Sequence, residues 1–144
     1  MGTITKYEAA VTNTGGRDGI VFSPDRSFSM VIEPPDKSGE KHAGASNPEQ
    51  LFAAGYSACF NNALQSSLRR DKVEFESSTV TVFVALLYDP DEKGHRIGAR
   101  IEASVKGISL DEAKKYVAIA HTRCPYSKAI QGNVDVKIDV VEAE

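Results

Sequence analysis

The chain has 144 residues, 41% of them hydrophobic and 26% charged, values that suit one globular domain spanning residues 1–144 and exclude a disordered chain. Its 20 acidic and 17 basic side chains give a formal charge of -3, and the basic ones are scattered, which argues against nucleic acid as a partner. No stretch approaches the roughly 18 apolar residues of a membrane span, and no basic segment followed by an apolar run opens the chain. A cytoplasmic protein with no membrane partner is expected.

From Thr3 to Thr14, Ile4, Tyr7, Ala9 and Val11 stand among polar residues, and the pattern predicts a strand. Gly15-Gly16-Arg17-Asp18-Gly19 then reads as a tight turn, since glycines adopt backbone angles that other residues resist. Ser27–Ile32 reads as another strand, entered by a turn at Pro24-Asp25-Arg26-Ser27. Residues 33–46 have no period and are expected to form a loop.

A helix is predicted from Asn47, a good N-cap followed by Pro48 at the first helical position, to about Leu68. Arg69, Arg70 and Lys72 suit its C-terminal end, where cations meet the helix dipole. Between Leu51 and Phe60 it is apolar on nearly every face and rich in Ala, Gly and Ser, so burial against close neighbours is expected.

Thr79–Tyr88 and His95–Lys106 are β-rich and joined by Asp89-Pro-Asp-Glu-Lys-Gly94, which has hairpin chemistry. Ser109-Leu-Asp-Glu112 is a capping box opening a second helix, with Ala113, Tyr116, Val117 and Ala120 on one stripe. Pro125 interrupts it just after Cys124, and a short helical turn to Gly132 leads into an alternating strand from Val134 to Val140. The class is α+β.

The chemistry falls to two cysteines, Cys59 on the apolar helix and Cys124 at the helix break, because no serine-nucleophile or zinc-helix motif is present. Thiols in the cytoplasm point to catalysis, metal binding or plain packing before a structural disulfide. His121, one turn before Cys124, offers half of a metal site, but no second ligand pair completes it. His42 and His95 are expected to face solvent. A reactive Cys59 needs a nearby cation, because burial disfavours the thiolate. Arg17 in its glycine turn is the best candidate, and Glu49 is placed to hold its guanidinium by a bidentate ion pair.

Asn47-Pro-Glu-Gln-Leu-Phe-Ala-Ala-Gly-Tyr-Ser-Ala-Cys-Phe60, the turn Gly15–Gly19 and Cys124-Pro-Tyr-Ser-Lys-Ala129 together resemble the organic hydroperoxide resistance proteins, the Ohr branch of the Ohr/OsmC family. The resemblance covers nearly the whole chain. It implies an OsmC-like fold, with antiparallel sheets packed around a buried central helix bearing a cysteine, in an intertwined homodimer. It also implies a thiol peroxidase acting on alkyl and fatty-acid hydroperoxides, with Cys59 as peroxidatic and Cys124 as resolving cysteine. Arg17 and Glu49 match the thiolate-activating pair.

The same resemblance implies an intramolecular disulfide intermediate and no bound cofactor or metal. The expected external reductant is a dihydrolipoyl group (dihydrolipoamide) of a lipoylated protein. An OsmC-type peroxidase, a metal-binding protein and a non-catalytic module for apolar ligands are the competing readings. Glu49 and Cys59 lie ten residues apart on one predicted helix, a rise of about 15 Å. Either the helix breaks near Gly55, or the Glu49 that serves Cys59 comes from a second subunit. The family's intertwined dimers favour the second.

Overall fold

The computed structural model describes residues 2–144. They form two compact units, one up to Pro48 and one from Glu49 to Glu144. In the first, β1 (Thr12–Thr14), β2 (Gly19–Phe22), β3 (Ser29–Ile32) and β4 (Ala45–Ser46) make a sheet in that order. The first three strands are antiparallel, and β4 runs parallel to β3.

The strand expected from Thr3 is shorter than its pattern. Residues 2–11 are exposed and without regular structure, and pairing begins only at Thr12. The three-residue step from Ile4 to Tyr7 already breaks the period of two that a half-buried strand requires.

The glycine turn between β1 and β2 is tightly specified. Gly15 and Gly16 take φ of 86° and 64°, where side chains are disfavoured. Asn13 staples the turn: its Nδ2 donates to the carbonyls of Gly16 and Ile20 at 3.1 Å each, and its Oδ1 accepts from the Gly16 N–H at 3.1 Å. A Cβ on Gly19 would lie 1.9 Å from the Thr14 carbonyl oxygen, so only glycine fits there. In the next turn Asp25 accepts from the Ser23 and Ser27 hydroxyls and from the Ser27 N–H, and these bonds hold its carboxyl down to about 2.

The second unit carries α1 (Pro48–Arg70), the hairpin β5 (Ser77–Asp89) and β6 (Gly94–Lys106), α2 (Leu110–Arg123), α3 (Pro125–Ile130) and β7 (Val136–Val140). The hairpin pairs in unbroken register from Ser77↔Lys106 to Asp89↔Gly94. Asp89 closes its turn by accepting from the Asp91 N–H at 2.9 Å. The α2–α3 segment carries the chain back across the sheet, so β7 joins β6 in parallel. The first sheet thus has two antiparallel pairs and one parallel pair, and the second one of each, which refines the antiparallel expectation.

α1 is continuous over 23 residues, with no break at Gly55. Its buried residues Tyr56, Phe60, Ala63, Leu64, Ser67 and Leu68 recur at helical spacing. They pack with Val82 of β5, Ile101, Ala103 and Val105 of β6, and the α2 stripe Ala113, Tyr116, Val117 and Ala120 in one core. Burial of α1 is one-sided in the chain taken alone. Ala54 and Ala58, a single i,i+4 row, are exposed, so the all-round apolar character from Leu51 to Phe60 exceeds what this core uses.

The Ser109 half of the expected capping box forms at α2, its hydroxyl accepting from the Glu112 N–H at 3.2 Å. Replacing Gly19 by Ala is expected to destabilise the protein by about 2 kcal/mol or more, since a backbone oxygen cannot yield as a side chain can. The denaturation midpoint in urea reads this directly; an unchanged midpoint would mean that the turn relaxes freely.

Candidate active site

Cys124 owes its position to the residue after it. Proline disfavours helical geometry in the residue before it, and Cys124 is extended, with φ -62° and ψ 123°, between α2 and α3. Its N–H still closes the last turn of α2 on the Ala120 carbonyl at 2.8 Å, and its own carbonyl accepts from the Lys128 N–H at 3.0 Å to open α3. The thiol is thus held at both ends by backbone bonds. It is fully buried.

The two cysteines meet. Both are free thiols, Cys59 half-buried on α1, and the Cys124 thiol stands close enough to the Cys59 sulfur to act on it. The Tyr126 N–H also reaches Cys59, available because N–H groups in the first turn of a helix have no intrahelical acceptor. Burial pushes the Cys59 thiol above its ordinary range, the Tyr126 N–H opposes the rise, and the Cys124 thiol adds to it. This environment brings the sulfurs together without by itself favouring the thiolate.

Aromatic rings wall the pair. Tyr126 stacks on Tyr56 with centroids 5.8 Å apart, and Phe52 meets Tyr126 edge-on at 6.0 Å. Gly55 makes room for this cluster, since a Cβ there would fall 2.5 Å from the Tyr126 hydroxyl oxygen. Beneath the rings, the buried Tyr56 hydroxyl bonds Ser127 Oγ at 2.7 Å, and Ser127 Oγ also contacts His121 Nδ1 at 3.0 Å.

His121 therefore faces Ser127, and among the described residues no three His, Cys, Asp or Glu side chains gather as a metal would need. His42 and His95 are exposed as expected; His42 pairs with Glu33, and His95 meets the Tyr88 ring. Arg17 is exposed in the β1–β2 turn of the first unit, and Glu49 is half-buried in the first turn of α1. Glu49 and Cys59 sit ten residues apart on an unbroken helix, about 15 Å along its axis. One chain does not bring them together, and a break at Gly55 is excluded.

Tyr56, Tyr126 and Ser127 escape a reading that looks only for nucleophiles and charges. Their signal was spacing: Tyr56 precedes Cys59, and Ser127 follows Cys124, by one helical turn.

A two-thiol site on an α+β scaffold with a long central helix defines a small class of proteins. The family model described as OsmC-like protein matches residues 39–139. An organic hydroperoxide resistance protein-like of Staphylococcus aureus (strain MRSA252) is 46% identical over 135 residues, covering 93% of this chain and 94% of that protein. The organic hydroperoxide resistance protein-like 2 of Staphylococcus epidermidis (strain ATCC 12228) is 44% identical over 134 residues, with the same coverage. Among solved structures, the organic hydroperoxide resistance protein OhrB of Bacillus subtilis superposes with a TM-score of 0.86 at 38% identity, over 95% of this chain and 100% of that one. One from Elizabethkingia anophelis, with crystallant-derived thiocyanate bound, gives 0.88 at 35%, over 98% and 100%. The chain belongs to the OsmC/Ohr family.

Gly55→Ala tests the aromatic wall. Alanine favours a helix interior over glycine by about 1 kcal/mol, similar to what the displaced ring contacts are worth, about 0.5–1.5 kcal/mol. Global stability is expected to stay nearly level, while the near-UV circular dichroism of the tyrosines changes and Cys59 reacts faster with a thiol reagent. Unaltered tyrosine signals and thiol reactivity would show that the ring does not depend on the missing side chain.

Proposed function

We propose that the chain is a cysteine-based peroxidase that reduces organic hydroperoxides to alcohols. The observation that carries this reading is the contact between two free thiols of unequal burial, Cys59 half-buried and Cys124 enclosed. The names of the relatives, as organic hydroperoxide resistance proteins, support it.

The Cys59 thiolate attacks the peroxide oxygen distal to the organic group. The O–O bond breaks, the departing alkoxide takes a proton and leaves as an alcohol, and Cys59 becomes a sulfenic acid. Cys124 sulfur then attacks Cys59 sulfur, an S–S bond forms as the S–O bond breaks, and hydroxide leaves as water with the Cys124 proton. A dithiol returns two electrons by thiol–disulfide exchange. In this reading it is a dihydrolipoyl group of a lipoylated protein, to which an apolar entrance is suited.

Substrate choice follows from the rings of Phe52 and Tyr126. Burying a hydrocarbon group contributes about 0.8 kcal/mol per methylene, so a four-carbon alkyl hydroperoxide gains about 3 kcal/mol that hydrogen peroxide lacks. Because burial raises the Cys59 thiol, the thiolate needs a compensating charge. Arg17 supplies it in this reading, held by Glu49 through a bidentate ion pair.

The unbroken α1 leads to a homodimer in which the Glu49 serving Cys59 belongs to the other subunit. Mixed dimers of Cys59→Ser and Glu49→Ala chains test this together with the activity. Wild type is expected to turn over an alkyl hydroperoxide with dihydrolipoamide, and both parent variants to be nearly inactive. A mixed dimer then contains one intact site of two and regains about half the wild-type rate, whereas sites built within one chain leave it as inactive as its parents.

A further inference from the structure

The polar contacts beside the thiols form a ladder with them. On α1, Tyr56 stands three residues before Cys59; on the returning segment, Ser127 stands three residues after Cys124. Cys59–Cys124 and Tyr56–Ser127 are therefore two rungs between the same two backbones, about 4.5 Å apart along α1. Only the first rung can become covalent.

The second rung is built for permanence. Tyr56 is completely buried and Ser127 is 3% exposed, so neither hydroxyl can exchange its partner for water, and breaking the bond leaves an unpaired buried group. A serine hydroxyl has one proton and two lone pairs. Ser127 can therefore accept from Tyr56 at 2.7 Å and donate to His121 Nδ1 at 3.0 Å at the same time. His121 comes from the last turn of α2, so the network ties α1, α2 and α3 around Cys124. Within the six-residue α3, Ser127 is the buried residue, and Tyr126 adds its ring contacts with Phe52 and Tyr56.

We propose that Tyr56 and Ser127, with His121 as the outer support, are positioning residues that hold Cys124 against Cys59 for disulfide formation. They act through the second rung and touch neither peroxide nor reductant. The consequence is a high effective concentration of Cys124 at Cys59, set by a hydrogen bond that stays in place while the sulfurs change state. The coupling runs both ways: closing the disulfide strengthens the Tyr56–Ser127 bond, as that bond favours closure. The inference gains its part in turnover from the peroxidase reading, but the coupling itself exists whether or not peroxide is the oxidant.

Two measurements on Tyr56→Phe, Ser127→Ala and wild type separate these. In the first, each protein is equilibrated with reduced and oxidised glutathione; one oxidised glutathione takes two electrons from Cys59 and Cys124, giving the protein disulfide and two reduced glutathiones. Loss of the rung is expected to lower the equilibrium constant about tenfold, on the scale by which small misplacements weaken intramolecular reactions. In the second, one equivalent of an alkyl hydroperoxide is added and the Cys59 sulfenic acid is trapped with dimedone. Formation of the sulfenic acid stays within about twofold of wild type, while its closure slows about tenfold and trapped sulfenic acid accumulates.

Tyr56→Phe keeps the ring and removes only the hydroxyl, so it folds even if the buried gap in Ser127→Ala is poorly tolerated. His121→Asn weakens the support more mildly, since the outer side of His121 opens onto a surface hollow of about 430 Å³. An unchanged glutathione equilibrium in both rung variants overturns the inference. So does equal slowing of sulfenic acid formation and closure, which marks a general loss of structure. A shifted equilibrium with no reaction of wild type toward peroxide upholds the positioning role and removes the peroxidase reading instead.

Discussion

The site depends on one crossing, where the Cys124–Ser127 segment runs against the middle of α1. Cys124 touches Cys59, Ser127 bonds Tyr56, and Tyr126 lies over Gly55, all within two turns of that helix. At the same crossing Gly55 leaves room for the far end of the Tyr126 ring. A proline after Cys124 then turns the chain so that the Cys124 thiol and the Tyr126 N–H, two residues apart, both face Cys59. Filling the space at Gly55 displaces the ring, while the core built on Phe60, Leu64 and Leu68 remains.

The same crossing sets the electrostatics. Enclosing Cys59 beneath aromatic rings makes its thiolate harder to form, as the upward push on its thiol shows. The site therefore divides its labour: the crossing supplies proximity, and charge has to arrive from elsewhere. Proximity lowers the entropic cost of joining the sulfurs, whereas a cation governs how readily the first sulfur becomes a nucleophile. In the proposed reading that cation is Arg17, whose β1–β2 turn is fixed by Asn13 and three glycines.

Much of this was legible in residues whose signal is local. The N-cap at Ser109, the hairpin turn at Asp89 and the break at Pro125 work through neighbours in sequence, and each forms where expected. The strand proposed from Thr3 did not form to its full length, because a strand needs a pairing edge as well as a pattern. Tyr56 and Ser127 received no individual reading, since nothing in either segment tells which residue of the other it meets. Their hydrogen bond spans 71 positions. That kind of contact belongs to the tertiary fold and has no counterpart in periodicity or capping. The small residues from Ala53 to Ala58 did predict close approach, and at Gly55 the approaching group is now identified.

The central claim is that Cys59 and Cys124 form one redox unit driven by organic hydroperoxides and reset by a dihydrolipoyl dithiol. Counting free thiols per chain tests it most directly: before peroxide, after one equivalent of an alkyl hydroperoxide, and after dihydrolipoamide or reduced thioredoxin. The account predicts that both cysteines of each chain are lost to the peroxide, regained with dihydrolipoamide, and regained far more slowly with thioredoxin. Retention of both thiols after peroxide would contradict it.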